Sequence, residues 1–391
     1  MIEASKTGSG SAVATYGMVG GGPGAFIGAV HRAAARFDGK AALVAGSFSS
    51  SFDKTKETGG ELGLPEDRLY ASYTEMAEKE AARDDGIDFV AIVTPNNMHY
   101  PVAKAFLEKG INVICDKPLT TTVEEAQELK KLARDNNALF GVTYTYTGYP
   151  MLKNAREMVQ NGELGDIRFV SAEYPQDWLA EPMEKQGLKQ AEWRTDPKRT
   201  GVSNVVGDIG THVENMVSYV TGLKIKQLAA RLDSFVEGRA LDDNASIMLE
   251  YDGGAKGLYW VSQIAVGYDN ALRIRVFGTK AGLEFFQEDP NHMTVTPLGG
   301  PTKTLSRGRD AMSDRAEEVS HVPAGHPEGY FEAFANIYTT FANAVARKKA
   351  GEKIDESKED YPTIDDGIEG VRFIHRCVES SKKDAAWVDF K

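Results

Sequence analysis

The sequence predicts an α/β protein: a doubly wound parallel sheet first, then an α+β unit with a large, open, mostly antiparallel sheet. Two changes of rhythm and one loop carry this. From residue 12 to about 145, short apolar runs alternate with helical patterns, the signature of parallel βαβ units. After 145, strand-like segments cluster without helices between them. A glycine-rich loop, GGGPGAFIG at 20–28, sits at the first strand-to-helix joint. A chain of 391 residues has room for two domains at about 100–200 residues each, set here at 1–145 and 146–391.

In the first unit the apolar runs are VATYGMV, AALVAG (41–46), DFVAIVT (88–94), NVIC (112–115) and ALFGVTY (138–144). Runs of four to seven residues suit strands buried on both faces. The helix-like segments between them are AFIGAVHRAAARF, YTEMAEKEAARD, YPVAKAFLEKG and VEEAQELKKLARDN, with Gly110 and Asn136-Asn137 as stops. In the second unit MLKNAREMVQNGELG reads as helix and IRFVSAEY as strand, followed by a polar stretch to about 207. Then come the strands KQLAARLDSFV, NASIMLEYD, AKGLYWVSQIAV, ALRIRVFGT and AGLEFFQE. DGG at 252–254 and GTKAG at 278–282 mark hairpins. FEAFANIYTTFANAVARKK returns the chain to helix.

Composition narrows the function. Hydrophobic residues are 41% and charged residues 26%, ordinary for a folded chain, and the formal charge of −12 disfavours nucleic acid or an anionic membrane as partner. No apolar stretch is long enough to span a bilayer, and MIEASKTGSGSA lacks the basic-then-apolar order of a signal peptide, so a cytoplasmic protein is expected. Two cysteines, Cys115 and Cys377, make no disulfide framework, and no ligand spacing suggests a metal.

The glycine loop fits a Rossmann dinucleotide fingerprint. Gly20, Gly22 and Ala25 satisfy G-x-G-x-x-A: a turn, a close approach to pyrophosphate, and a small residue for helix-on-strand packing. Pro23 suits a first helical turn, and the extra glycines Gly24 and Gly28 leave the register open by a residue or two. The second strand ends VAGSFSSSFDK, without the carboxylate that binds adenosine ribose. Ser47 and Ser49 stand there instead, able to bond a ribose hydroxyl or a 2′-phosphate with Lys54 nearby, or simply to cap the next helix. NAD and NADP both stay open.

Two further segments lie at carboxyl ends of strands, the ligand edge of such a sheet. TPNNMH, with Thr94, Pro95, Asn96 and His99, follows DFVAIVT, counted as the fourth strand; CDKP, with Asp116 and Lys117, follows NVIC. The proline holds Lys117 extended, pointing out of the strand end. In GVSNVVGDIGTHVENMVSYVTG, 201–222, Asp208 and His212 stand four apart and would share a helix face, letting a carboxylate set an imidazole's tautomer.

Glycine loop, TPNxxH, [ED]KP and G-D-x-G-x-H, in this order, resemble the Gfo/Idh/MocA oxidoreductase family, which contains glucose–fructose oxidoreductase and inositol dehydrogenases. The resemblance spans nearly the whole chain, including WRTDPKRTGVS and DDGIEGVRFI. It implies a nucleotide domain followed by an open-faced sheet that often forms the oligomer interface, hence a homodimer or homotetramer. It places the family's lysine on Lys117 and its paired aspartate and histidine on Asp208 and His212, with Asp116 replacing the usual glutamate.

The chemistry this implies is hydride transfer between a nicotinamide and a secondary hydroxyl or ketone of a sugar, polyol or glycoside. His212 would act as base, Lys117 would stabilise the oxygen, and Asp208 would orient the imidazole or bind a neighbouring hydroxyl. Tyr146, Trp193 and Arg194 are candidate substrate contacts, and His326, in HVPAGHPEGY, is a further one. Two alternatives remain: a glycoside-cleaving enzyme that recycles its cofactor by oxidation and elimination, and a non-catalytic nucleotide sensor.

Overall fold

The computed structural model describes residues 13–309 and 312–391. The twelve residues read for a signal peptide lie outside the described residues. The first unit runs β1 (Ala14–Gly20), α1 (Phe26–Phe37), β2 (Ala41–Ser47), α2 (Phe52–Glu61), α3 (Tyr73–Ala81), β3 (Phe89–Val93), α4 (His99–Leu107), β4 (Asn112–Cys115), α5 (Val123–Asp135) and β5 (Phe140–Val142). Its sheet is wholly parallel, in the order β2-β1-β3-β4-β5, as the alternating rhythm predicts. Every residue of β3 is buried, because helices cover both faces. Gly110 and Asn137 adopt positive φ just past α4 and α5, as stops should.

The count of strands differs by one. The run before TPNNMH is the third strand, not the fourth; between α2 and α3 the chain adds only a single parallel bridge, Gly46 to Leu69, at the edge beside β2. α2 was not expected, since FDKTKETGGE carries two glycines and little apolar periodicity. Gly59 has a packing reason: a Cβ there would lie 2.4 Å from Leu69 Cδ2.

The second unit continues α6 (Pro150–Gln160), β6 (Ile167–Pro175), α7 (Lys189–Arg194) and α8 (Pro197–Thr200), then a π-turn, Val206–Gly210, that runs into α9 (Thr211–Thr221). Seven strands follow, β7 (Ile225–Asp233), β8 (Asn244–Tyr251), β9 (Lys256–Ser262), β10 (Arg273–Gly278), β11 (Ala281–Phe286), β12 (His292–Pro297) and β13 (Lys303–Ser306). α10 (Asp314–Glu318), α11 (Tyr330–Lys349), α12 (Ile364–Lys382) and β14 (Val388–Asp389) close the chain.

These strands form a nine-stranded sheet, β13-β12-β11-β10-β6-β9-β8-β7-β14, in which only β6 and β9 pair in parallel. The strands alternate buried and exposed residues, β8 reading Ala245, Ile247, Leu249 and Tyr251 inward. That inner face packs with α6, α9 and α12. DGG and GTKAG make the β8–β9 and β10–β11 hairpins as expected. β12, β13 and β14 were missed, being short and polar at the sheet's two ends. β9 stops at Ser262, short of Val266, and the departing Gln263 reaches the site described below.

The last two long helices bind the units together. Phe334, Ile337, Tyr338 and Phe341 of α11 pack on the parallel sheet with Ala14, Tyr16 and Phe89, while Ile364, Ile368 and Val371 of α12 join the core under its other face. No helix among the described residues is long and apolar enough to cross a membrane.

Candidate active site

A cleft of about 980 Å³ runs from the glycine loop, along the carboxyl ends of the parallel strands, to the inner face of the second sheet. It is large for a ligand pocket, about 300–1,000 Å³ being usual. Gly20, Gly22, Pro23 and Ala25 line one end, with Ser47, Ser49, Ser50 and Lys54; Thr94, Pro95, Asn96, Asp116 and Lys117 line the middle; Tyr146, Trp193, Arg194, Asp208 and His212 line the other end.

The loop is a cradle, in a register different from the one read. Gly20, Gly21 and Gly24 adopt positive φ. A Cβ on Gly20 would meet Val93 O at 2.7 Å, and one on Gly22 would meet Phe48 O at 2.7 Å, so these backbones pass too close for a side chain. The close helix-on-strand contact belongs to Gly28 against Gly21, where a Cβ would lie 2.4 Å from Cα, and not to Ala25, which is the N-cap residue. Pro23 sits in the turn before the cap, not in the first helical turn, and Gly24 points into open space outside the cleft lining. Ala25 supplies no capping oxygen to α1, whose first N–H groups are left for an anion at the cleft wall. A dinucleotide fits this arrangement.

His99 does not face the cleft. It is buried, with Nδ1 2.8 Å from Pro118 O and Nε2 2.9 Å from Thr94 O, so it pins the two strand-end loops to each other. Asn96 borders the cleft and donates to Thr200 O at 3.0 Å, tying the same edge to α8 of the second unit.

At the cleft floor the two units meet through charge. Lys117 Nζ donates to Asp208 O at 2.6 Å and Oδ1 at 3.0 Å. Arg194 Nε forms an ion pair with Asp208 Oδ2 at 3.2 Å without donating to it, and the same oxygen accepts from Gln263 at 2.8 Å. Burial opposes the charge on Asp208, but Arg194 and Lys117 prevail and hold its carboxyl well below the usual range. An ammonium has three donors, and Asp208 takes two.

The expected contact between Asp208 and His212 is absent. Asp208 lies in the π-turn, whose wider spiral breaks the i, i+4 alignment of an α-helix, and its oxygens are taken by Lys117, Arg194 and Gln263. Buried Asp242 sets the turn by accepting from Ser203 Oγ and from the N–H groups of Asn204 and Val205. His212 is held instead by aromatic edges, with ring centroids 4.8 Å from Tyr146 and 5.8 Å from Tyr144. Its Nδ1 is buried without a hydrogen-bond partner among the described residues. Burial, and after it the charge of Lys117, pushes the imidazole well below its ordinary value, so it is neutral.

The far wall is polar and largely satisfied. Tyr146 and Tyr174 hydroxyls bond each other, Tyr174 donates to Asn270 at 2.6 Å, and Gln176 donates to Asn270 at 2.7 Å. Arg194 stacks on Trp193 at 4.2 Å. Sequence reasoning missed Tyr174, Gln176 and Gln263; no spacing rule joins residues whose only link is adjacency on a folded sheet. His326 is displaced: it is exposed and bonds its own loop, and Tyr330 of α11 reaches the cleft in its place.

A family model for the NAD-binding Rossmann fold of an oxidoreductase family matches residues 14–144, and the model of the GFO/IDH/MocA C-terminal domain matches 152–284. The chain belongs to the Gfo/Idh/MocA family.

It is 40% identical to YfiI, an oxidoreductase of Bacillus subtilis, over 96% of both chains. It is similar throughout to an inositol dehydrogenase homolog from Azotobacter vinelandii solved with NAD+, at 40% identity and a TM-score of 0.93, covering 96% of this chain and 97% of that one. Levoglucosan dehydrogenase of Pseudarthrobacter phenanthrenivorans is 25% identical, over 85% of this chain and 88% of its own. Some dehydrogenase relatives are named for NADP(+). The protein is an NAD(P)-dependent oxidoreductase.

Proposed function

We propose that the protein oxidises a secondary hydroxyl of a sugar or polyol, or reduces the matching ketone, at the floor of this cleft. The observation that carries the reading is the convergence there of Lys117, from the nucleotide unit, with Asp208 and a neutral His212, from the second unit. A nicotinamide dinucleotide held along the cleft would supply the acceptor or donor of hydride. The substrate oxygen sits between His212, which takes its proton, and the remaining N–H of Lys117, which stabilises negative charge growing on that oxygen. Asp208 holds Lys117 and Arg194 in place. Tyr146, Trp193 and Arg194 contact the substrate, ring faces meeting its apolar face and the guanidinium its hydroxyls.

In this reading residues 1–145 hold the dinucleotide and 146–391 hold the substrate and the oligomer contact. Gly20, Gly22 and Ala25 border the pyrophosphate, Ser47, Ser49 and Lys54 the adenosine ribose, and Thr94, Pro95, Asn96 and Asp116 the nicotinamide half. The outer face of the large sheet exposes Phe169, Met248, Leu258 and Phe277 on neighbouring strands, which supports a homodimer or homotetramer. Sedimentation of wild type against Leu258→Glu reads that assembly. The enzyme acts in the cytoplasm, and its two cysteines are buried and free, in keeping with a reducing compartment.

The test is a panel of inositols, hexoses, anhydrosugars and glycosides offered with NAD and with NADP. Reduced nicotinamide formed with one member supports the reading. Aglycone release without net reduction, or dinucleotide binding with no turnover on any member, counts against it.

A further inference from the structure

The buried His31 of α1 has no part in the chemistry above, yet one of its nitrogens is spoken for and the other is not. Nδ1 lies 2.7 Å from Tyr338 Oη of α11. Among the described residues Nε2 has no hydrogen-bond partner, and it faces Asp116 Oδ2 at 3.7 Å. Phe334 and Tyr338 hold the ring edge-on, and it is 1% exposed.

Accounting for donors assigns the tautomer. Among the described residues Nδ1 is the only hydrogen-bond partner of Tyr338 Oη. Burial holds the Tyr338 phenol well above its ordinary value, so its proton stays on oxygen and is donated to Nδ1. The imidazole proton therefore sits on Nε2, aimed at Asp116. Asp116 Oδ1 accepts from Lys117 N–H at 2.8 Å and from Thr143 Oγ1 at 3.0 Å, which leaves Oδ2 with His31 alone. Asp116 borders the cleft beside Lys117.

We propose that His31, oriented by Tyr338, is a positioning residue: it fixes Asp116 so that this carboxylate accepts a hydrogen bond from the dinucleotide while holding the backbone of Lys117. The relay Tyr338–His31–Asp116 joins a helix of the second half of the chain to the loop that carries the lysine. The inference rests on the dinucleotide reading of the cleft and deepens it.

Three variants separate positioning from packing. His31→Gln supplies an oxygen to accept from Tyr338 and an N–H for Asp116, whereas His31→Leu fills the volume and supplies neither. Tyr338→Phe keeps the ring and removes the donor, and serves if the leucine variant does not fold. NADH and NADPH affinity is read by fluorescence titration, with thermal midpoints alongside. Once Asp116 is no longer fixed, loss of the hydrogen bond it accepts from the dinucleotide predicts affinity about tenfold weaker or more in His31→Leu and Tyr338→Phe, and close to wild type in His31→Gln. The ¹⁵N shifts of the His31 ring in the protein without coenzyme should show Nε2 protonated and Nδ1 bare. Unchanged affinity in His31→Leu, equal losses in the glutamine and leucine variants, or a proton on Nδ1 overturns the inference alone. A wild-type protein that binds neither dinucleotide overturns the dinucleotide reading and this inference with it.

Discussion

His212 owes its chemistry to where it is buried. An imidazole stripped of water beside an ammonium loses its proton more readily, so His212, the proposed base, is unprotonated at neutral pH. Alcohol oxidation should therefore hold its rate as pH falls through 6.5, where an unperturbed histidine would protonate; a kcat/KM profile that drops with a midpoint there contradicts the assignment. Replacing the base tests the same point: His212→Asn should lower kcat by about 10²–10⁴ while dinucleotide affinity stays close to wild type. The sequence singles out Lys117, Asp208 and His212, which all line the cleft, but the contact it predicts between the last two does not form. A spacing of four predicts a shared face only on an α-helix, and here the chain enters a π-turn set by Asp242, which is remote in sequence. His326 failed for a related reason: a loop histidine's direction is decided by Arg307, whose guanidinium gathers the carbonyls of Val322 and His326.

Among elements, the glycine loop and the loop before α11 make the sharpest predictions. Gly28 touches Gly21 backbone to backbone, so Gly28→Val should cost about 1–3 kcal/mol or more of stability and weaken dinucleotide binding, read by thermal melts and titration. A variant as stable as wild type would show that the loop can move aside. His321, between the two units, bonds Asp38 at 3.1 Å and Glu328 at 3.4 Å. Burial works against its charge, but the hydrogen bonds and charges of Asp38 and Glu328 prevail and lift it to about 9. A raised folded-state value gives stability that is present in full below the unfolded value near 6.5 and lost as pH rises through about 9. Thermal midpoints of wild type should fall across that window more than those of His321→Gln; parallel curves would remove the bridge as a stabilising contact. Elements with strong periodicity were legible at this scale, from α1 to α12. α2 was not, because two glycines and few apolar residues hide it and only Gly59 has a reason, its packing under Leu69, nor were β12 to β14, whose pairing comes from neighbours and not from their own apolar content.

At the scale of the molecule, the direction of pairing follows from alternation and turn chemistry, so one parallel and one mostly antiparallel sheet could be anticipated. The return of the chain could not. α11 and α12 are amphipathic helices whose apolar faces name no partner in sequence, and they lie against the parallel sheet more than a hundred residues upstream. That return places Tyr330 at the cleft and Tyr338 behind Asp116, so the site draws on three separated stretches of chain. In the proposed reaction this assembled cleft moves hydride directly between a carbinol carbon and a nicotinamide. The most direct measurement uses a substrate from the panel deuterated at the carbinol carbon, with the reduced dinucleotide isolated and weighed by mass spectrometry. Direct transfer puts one deuterium in each reduced nicotinamide. Reduced dinucleotide without the label, or label lost to water with the dinucleotide left oxidised, would contradict it.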